Sequence, residues 1–196
     1  MQPRIRLLRS FDERHHNYLG YALRLDGTLA GTAREFSVGI GKAAQAKLAL
    51  RVGDKLSGVA QPVADARLET VELYKASALK LIARATPAPA QPPPWHDLPP
   101  PLEVYRQRGH RRLDPRTYAG RCRTCIWGAQ MPVEMIIDHW KPDIREYRVE
   151  TFCYGPKSCS AYRAGATRKV PGRNNMVWEE EDWVDEEATA GRSGDE

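Results

Sequence analysis

The segment ATPAPAQPPPWHDLPPP, Ala85 to Pro101, sets the tightest limit on what this chain can fold into. Its repeated prolines remove backbone donors and hold φ near the polyproline value, so neither a helix nor a central strand can run through it. It is expected to act as a semi-rigid spacer over residues 85–102, dividing an N-terminal part, residues 1–84, from a C-terminal part, residues 103–177, with an acidic tail at 178–196. The two sides share no repeated pattern.

Before the spacer the apolar residues recur with a period of two. Ile5 and Leu7 alternate with arginines, Leu19, Tyr21, Leu23 and Leu25 alternate in YLGYALRL, and Phe36, Val38 and Ile40 alternate in EFSVGIG. The turn signals DG at Asp26 and GD at Gly53 are expected to separate these runs. GKAAQAKLAL, Gly41 to Leu50, fits a short helix, and RVGDKLSGVAQPV and ETVELYKASALKLIAR give two further strands, the last of which has helical propensity as well. About five strands and one short helix fit a small Greek-key barrel, so the chain is expected to be mainly β with short helices.

The order of these pieces resembles an OB-fold: a long first pair of strands, a glycine-punctuated third strand, a connecting helix, and a fourth strand with a GDxxxGxA-like run at Gly53, Asp54, Gly58 and Ala60. The resemblance implies a face suited to single-stranded nucleic acid, although such barrels also dock proteins or handle acyl groups.

All four cysteines lie beyond the spacer, as C-x2-C at Cys122 and Cys125 and C-x5-C at Cys153 and Cys159. A C-x2-C turn sets two thiolates on one side of a tight knuckle, and four thiolates satisfy a tetrahedral zinc ion. A [4Fe-4S] cluster is the alternative, because Trp127, Phe152, Tyr154 and the MIID segment would give it a dry shell. His139 is a possible alternate ligand. The segment GAQMPVEMIIDHWKP is expected to supply a short buried strand or helical turn around Val133 to Ile137, between the cysteine pairs. The whole resembles OB-fold proteins carrying a C-terminal zinc-ribbon-like module, and a second resemblance is to small acyl-coenzyme-A-associated proteins that pair the two in the opposite order.

The charge of +5 favours a polyanionic partner, single-stranded DNA or RNA. Arg106, Arg108, Arg111, Arg112, Arg116, Arg121 and Arg123 crowd the approach to the first cysteine pair and form a candidate phosphate footprint. In the N-terminal part Tyr18, Tyr21 and Phe36 are candidate stacking rings, with Arg24, Arg34, Lys42 and Lys47 to meet phosphates. The acidic tail carries Trp178 and Trp183, which suit a protein-docking segment or one that folds back on the basic residues. The start of the chain has no signal-peptide pattern and no stretch is long and apolar enough for a membrane helix, so a cytoplasmic location is expected, where four cysteines read as metal ligands rather than disulfides.

No GxxxxGK, GxSxG or HExxH motif is present, and no catalytic residues are assigned. The expected function is a nucleic-acid-binding accessory protein with a structural metal site. The alternative is a protein-docking or enzyme-accessory subunit that uses the barrel and the Trp-bearing tail.

Overall fold

Alternation becomes strand pairing throughout the N-terminal part. In the computed structural model, residues 1–10, 14–86, 91–180 and 183–192 are described, without the side chains of Arg14 and Trp183. Strands β1 (Gln2–Arg9), β2 (Arg14–Leu29) and β3 (Thr32–Ile40) form an antiparallel meander, followed by α1 (Lys42–Leu48), β4 (Lys55–Pro62) and β5 (Leu73–Ala83). The sheet order here is β4-β5-β3-β2-β1, with a parallel step between β3 and β5 at Val38 and Leu73.

Strand β2 serves two partners, and Gly20 lets it do so. The register slips between Arg4 and Ile5 of β1, opposite Gly20, whose φ is +131°. A Cβ at that position would stand 2.0 Å from the carbonyl oxygen of Ile40, so only glycine lets β3 come this close.

Two local expectations change. Asp26 and Gly27 do not make a turn: they lie inside β2 opposite Glu35 and Arg34, and the hairpin closes at Ala30 and Gly31, with φ of 48° and 87°. Two consecutive positive φ values match the twist of the flanking strands, and this turn is fixed by register rather than by the DG pair. The segment of mixed propensity is the strand β5. Pairing with β4 overrides helix propensity, while shifts in register and the left-handed Lys75 and Ala78 absorb its irregular apolar spacing.

Beyond the prolines come α2 (Leu102–Arg108), β6 (Arg111–Arg112), α3 (Pro115–Thr117), β7 (Gly128–Ile136) and β8 (Arg145–Cys153). The segment around Val133 is therefore a nine-residue strand. Strand β7 runs parallel to β1 through Leu7 and Val133, Leu8 and Glu134, and Arg9 and Met135. One eight-stranded sheet thus continues across the prolines, in the order β4-β5-β3-β2-β1-β7-β8-β6. Among the described residues no pairing joins β1 to β4, and β7 takes that edge of β1.

The main core is shared in the same way. Ile5, Tyr21, Leu23, Val38, Ile40 and Leu50 meet Leu102, Tyr105, Ala129, Met131, Phe152 and Tyr154 in one buried cluster. Full burial of a large apolar side chain contributes about 1.5–3 kcal/mol, so this cluster is a principal source of the sheet's stability. The proline segment is tied to both sides: the Tyr21 hydroxyl donates to the Pro100 carbonyl at 2.8 Å, and the Ile126 N–H donates to the Trp95 carbonyl at 2.9 Å. Residues 87–90 lie outside the description. The protein is mainly β with short helices, and no described helix is long and apolar enough to cross a membrane.

Candidate metal centre and the adjoining basic groove

Cys122, Cys125 and Cys153 pack at one end of the β7–β8 hairpin, and Cys159 follows in the loop beyond β8. Asp114 caps α3 by accepting the Thr117 N–H at 2.7 Å, and a π-helical turn over Tyr118–Cys122 follows. Next comes the knuckle, closed by the Cys125 N–H on the Cys122 carbonyl at 3.1 Å and the Gly128 N–H on the Cys125 carbonyl at 3.2 Å. Strand β7 begins at Gly128, which lies opposite Cys153, the last residue of β8. Strand pairing is therefore what brings Cys153 to the C-x2-C turn.

Cys122, Cys125 and Cys153 are buried, with Leu113 and Tyr118, under Trp95, Trp127 and Tyr162, and Cys159 is half-buried. All four thiols are free. Burial pushes the Cys122 thiol up to about 12, and the charges of Cys153, Cys125 and Cys159 push in the same direction. Burial also raises Cys125, against the opposing effect of the nearby main-chain N–H groups of Trp127, Trp95 and Gly128. The Gly155 N–H donates to the Cys153 sulfur at 3.3 Å. Main-chain N–H groups aimed at sulfur favour thiolates, and a dry pocket opposes them unless a cation is bound.

As the side chains stand, no trio of His, Cys, Asp or Glu among the described residues closes around a metal position. The donor chemistry nevertheless suits one: Cys122, Cys125 and Cys153 share one buried cluster, Cys159 follows in the adjoining loop, and the Cys153 sulfur already accepts a main-chain N–H. His139 takes no part. It is exposed on the β7–β8 connection, at the opposite end of a strand roughly 26 Å long at the usual rise per residue.

Gln2 and Tyr118 support the knuckle, and sequence reasoning missed both. The Gln2 amide donates to the carbonyls of Cys122 at 2.7 Å and Cys125 at 3.0 Å, and its oxygen accepts the Tyr118 hydroxyl at 2.7 Å. The first strand of the chain thereby holds the first cysteine pair. No local pattern could signal a contact across 120 residues.

The arginine-rich approach divides into two groups. Arg112 is 5% exposed and bonds Asp185, Arg108 donates to the Tyr154 carbonyl at 2.8 Å and lies over Trp127, and Arg111 donates to the Pro156 carbonyl at 2.9 Å and lies over Tyr162. These three serve internal contacts rather than an open footprint. Arg106, Arg116, Arg121 and Arg123 are exposed, as are Lys42 and Lys47 on α1. Tyr21 is 3% exposed, a core ring with no face to offer a base. Tyr18 is half-buried beneath Arg106, and Phe36 is half-buried beside Arg34, which pairs with Glu72 at 2.8 Å.

A groove opens beside the knuckle. Arg24 of β2 and Arg123 of the knuckle both reach Oε1 of Glu35, at 2.7 Å and 2.5 Å. They line a cavity of about 330 Å³ with Tyr118, Gln130 and Thr151, and a second of about 260 Å³ with Asp26 and Thr124.

The acidic tail folds back. Strands β9 (Arg168–Pro171) and β10 (Val177–Glu180) pair, and α4 (Trp183–Ala188) follows. Glu180 meets both Arg9 and Arg168, Asp185 bonds Arg112 and Arg168, and Glu150 faces Arg9, so carboxylates and guanidiniums alternate in a buried cluster. Trp178 is 44% exposed on β10, whereas the Trp183 side chain lies outside the description.

Compared with known protein families, curated proteins and solved structures, the chain matches none.

Proposed function

We propose that this protein is a nucleic-acid-binding accessory protein, in which an OB-like five-stranded part and a four-thiolate zinc module flank one arginine-lined groove for single-stranded DNA or RNA. The OB-like reading is supported by the order β4-β5-β3-β2-β1 and by α1 between β3 and β4, both compatible with a partly open Greek-key barrel. The zinc reading is supported by the packing of Cys122, Cys125 and Cys153 in one buried cluster and by the Gly155 N–H that donates to the Cys153 sulfur. Thiolate ligation suits a reducing compartment such as the cytoplasm.

The observation that carries the proposal is the sharing of Glu35 by Arg24 and Arg123, which come from opposite sides of the proline segment. Two guanidiniums on one carboxylate leave a positive charge in excess. A phosphodiester can take the place of that carboxylate, since guanidinium binds either anion through the same fork of donors. Tyr18, on the same strand as Arg24, and Phe36, on β3, are half-buried against the core, so affinity in this groove is expected to rest on its guanidiniums.

The test is titration of a labelled single-stranded oligonucleotide across ionic strength. Affinity is expected to fall steeply with salt. Arg24→Gln with Arg123→Gln is expected to reduce the slope of log K against log salt by about 1.4, two single-strand phosphate contacts' worth. Absence of binding at low salt to both DNA and RNA would refute the proposal.

A further inference from the structure

Among the described residues four arginines are buried, Arg9, Arg112, Arg168 and Arg192. The first three each meet a carboxylate: Glu180 for Arg9, Asp185 for Arg112, and both for Arg168. Arg192 is the exception. Its guanidinium donates to four main-chain carbonyls, those of Arg108 at 2.6 Å, Gly109 at 2.6 Å, Gly155 at 2.7 Å and Cys153 at 3.4 Å, and to no carboxylate among the described residues. Carbonyl dipoles satisfy its donors, yet a buried net charge still requires an opposite charge nearby.

Arg111 stands in the same situation. It lies directly opposite Cys153 in the β6–β8 pair, donates to the Pro156 carbonyl, and keeps a buried Nε without a hydrogen-bond partner. Between them the two guanidiniums hold the carbonyls of Cys153, Gly155 and Pro156 in the loop that leads to Cys159. Among the described residues no carboxylate pairs with either, and the ionisable groups beside them at this corner are the cysteine thiols.

We infer that Arg192 and Arg111 are positioning residues for the metal centre: they clamp the C-x5-C loop and neutralise the charge of four thiolates around a divalent ion. The inference rests on the zinc reading above. Four thiolates around Zn²⁺ carry a net charge of −2 by formal count, which two guanidiniums cancel. Arg111 is paired with Cys153 across β6 and β8 and Arg192 donates to its carbonyl, so both cations stand beside this ligand. The acidic tail thus carries one cation to the cysteines, and its carboxylates anchor the segment that delivers it.

The experiment is competition for zinc between a chromophoric chelator and the full-length protein, with Arg192→Gln, Arg192→Lys and Arg111→Gln compared with wild type and with the distant charge control Lys80→Gln. Outer-shell partners of metal ligands are typically worth 10- to 100-fold in affinity. Arg192→Gln and Arg111→Gln are each expected to weaken zinc binding by about that factor. Arg192→Lys, which keeps the charge but loses the planar fork, should recover much of it. A purely structural role would leave the Lys and Gln variants equally impaired, and would overturn charge neutralisation. Wild-type protein that binds zinc while both Gln variants match Lys80→Gln would overturn the inference alone. Wild-type protein that binds no zinc would overturn the metal reading together with it. If Arg192→Gln does not fold, the comparison of Arg111→Gln with Lys80→Gln decides.

Discussion

The N-terminal strands and the cysteine-bearing region belong to one sheet but are held together differently. Strands β1 to β5 rest on interdigitated apolar side chains such as Leu23, Val38 and Ile40, with charges in surface pairs like Arg24–Glu35 and Arg34–Glu72. The region from Leu102 onward adds buried polar chemistry to its share of that core: thiols, a guanidinium caged by carbonyls, and alternating Arg and Glu or Asp around Arg168. Apolar burial is non-directional and tolerates adjustment, whereas buried charge fails when one partner is lost. The C-terminal region is therefore expected to be the more brittle of the two.

The largest effect should come from withdrawing metal. A structural zinc site supplies folding free energy directly, so chelation is expected to raise amide exchange at Cys125, Gly128, Tyr154 and Gly155 while the β2–β3 amides remain protected. Equal loss in both regions would mean that the shared sheet, and not the metal, sets cooperativity. Next, Asp185→Ala removes the carboxylate that the buried Arg112 and Arg168 share, and should cost about 3–5 kcal/mol in denaturant unfolding. Leu23→Ala, a cavity in the apolar core, should cost about 2–5 kcal/mol and leave zinc binding unchanged.

Gln2→Ala tests the join between the regions. It removes both donors to the knuckle carbonyls and the acceptor of Tyr118, and is expected to cost about 1–3 kcal/mol with faster exchange in the knuckle. The smallest effect on folding should follow Glu35→Gln, because the carboxylate is 53% exposed. Hydrogen bonding from Arg24, with the charges of Arg123 and Arg24, holds Glu35 below its usual carboxyl range, so its pairing is present at neutral pH and lost as pH falls through that lowered value. Oligonucleotide affinity should rise as this competing carboxylate is protonated. In Glu35→Gln the affinity should be higher at neutral pH and lose that part of its pH dependence.

The same contrast explains what could be read from the chain beforehand. Ile5, Leu7, Tyr21, Leu23, Val38 and Ile40 are buried as their alternation requires, and α1 falls within the stretch expected for it, because these signals are local. The parallel pairing of β1 with β7 carries no such signal, since Leu7 and Val133 meet across the proline segment. Asp26 and Gly27 fit a turn by composition, while the register of nine strand pairs puts the turn at Ala30 and Gly31. At the candidate site the C-x2-C spacing was legible, but Gln2 and Arg192 lie far away in sequence, and Tyr118, four residues before Cys122, acts on the knuckle through Gln2. Arg112 read as a phosphate contact for the same reason: its partner, Asp185, is 73 residues away.

Elemental analysis of anaerobically purified protein, with its absorption spectrum, tests the central claim most directly. The account predicts a colourless protein with one zinc per chain, released together with four reactive thiols. A brown protein containing iron and sulfide would replace zinc with a cluster at the same cysteines, and a protein free of metal with four freely reactive thiols would contradict the account.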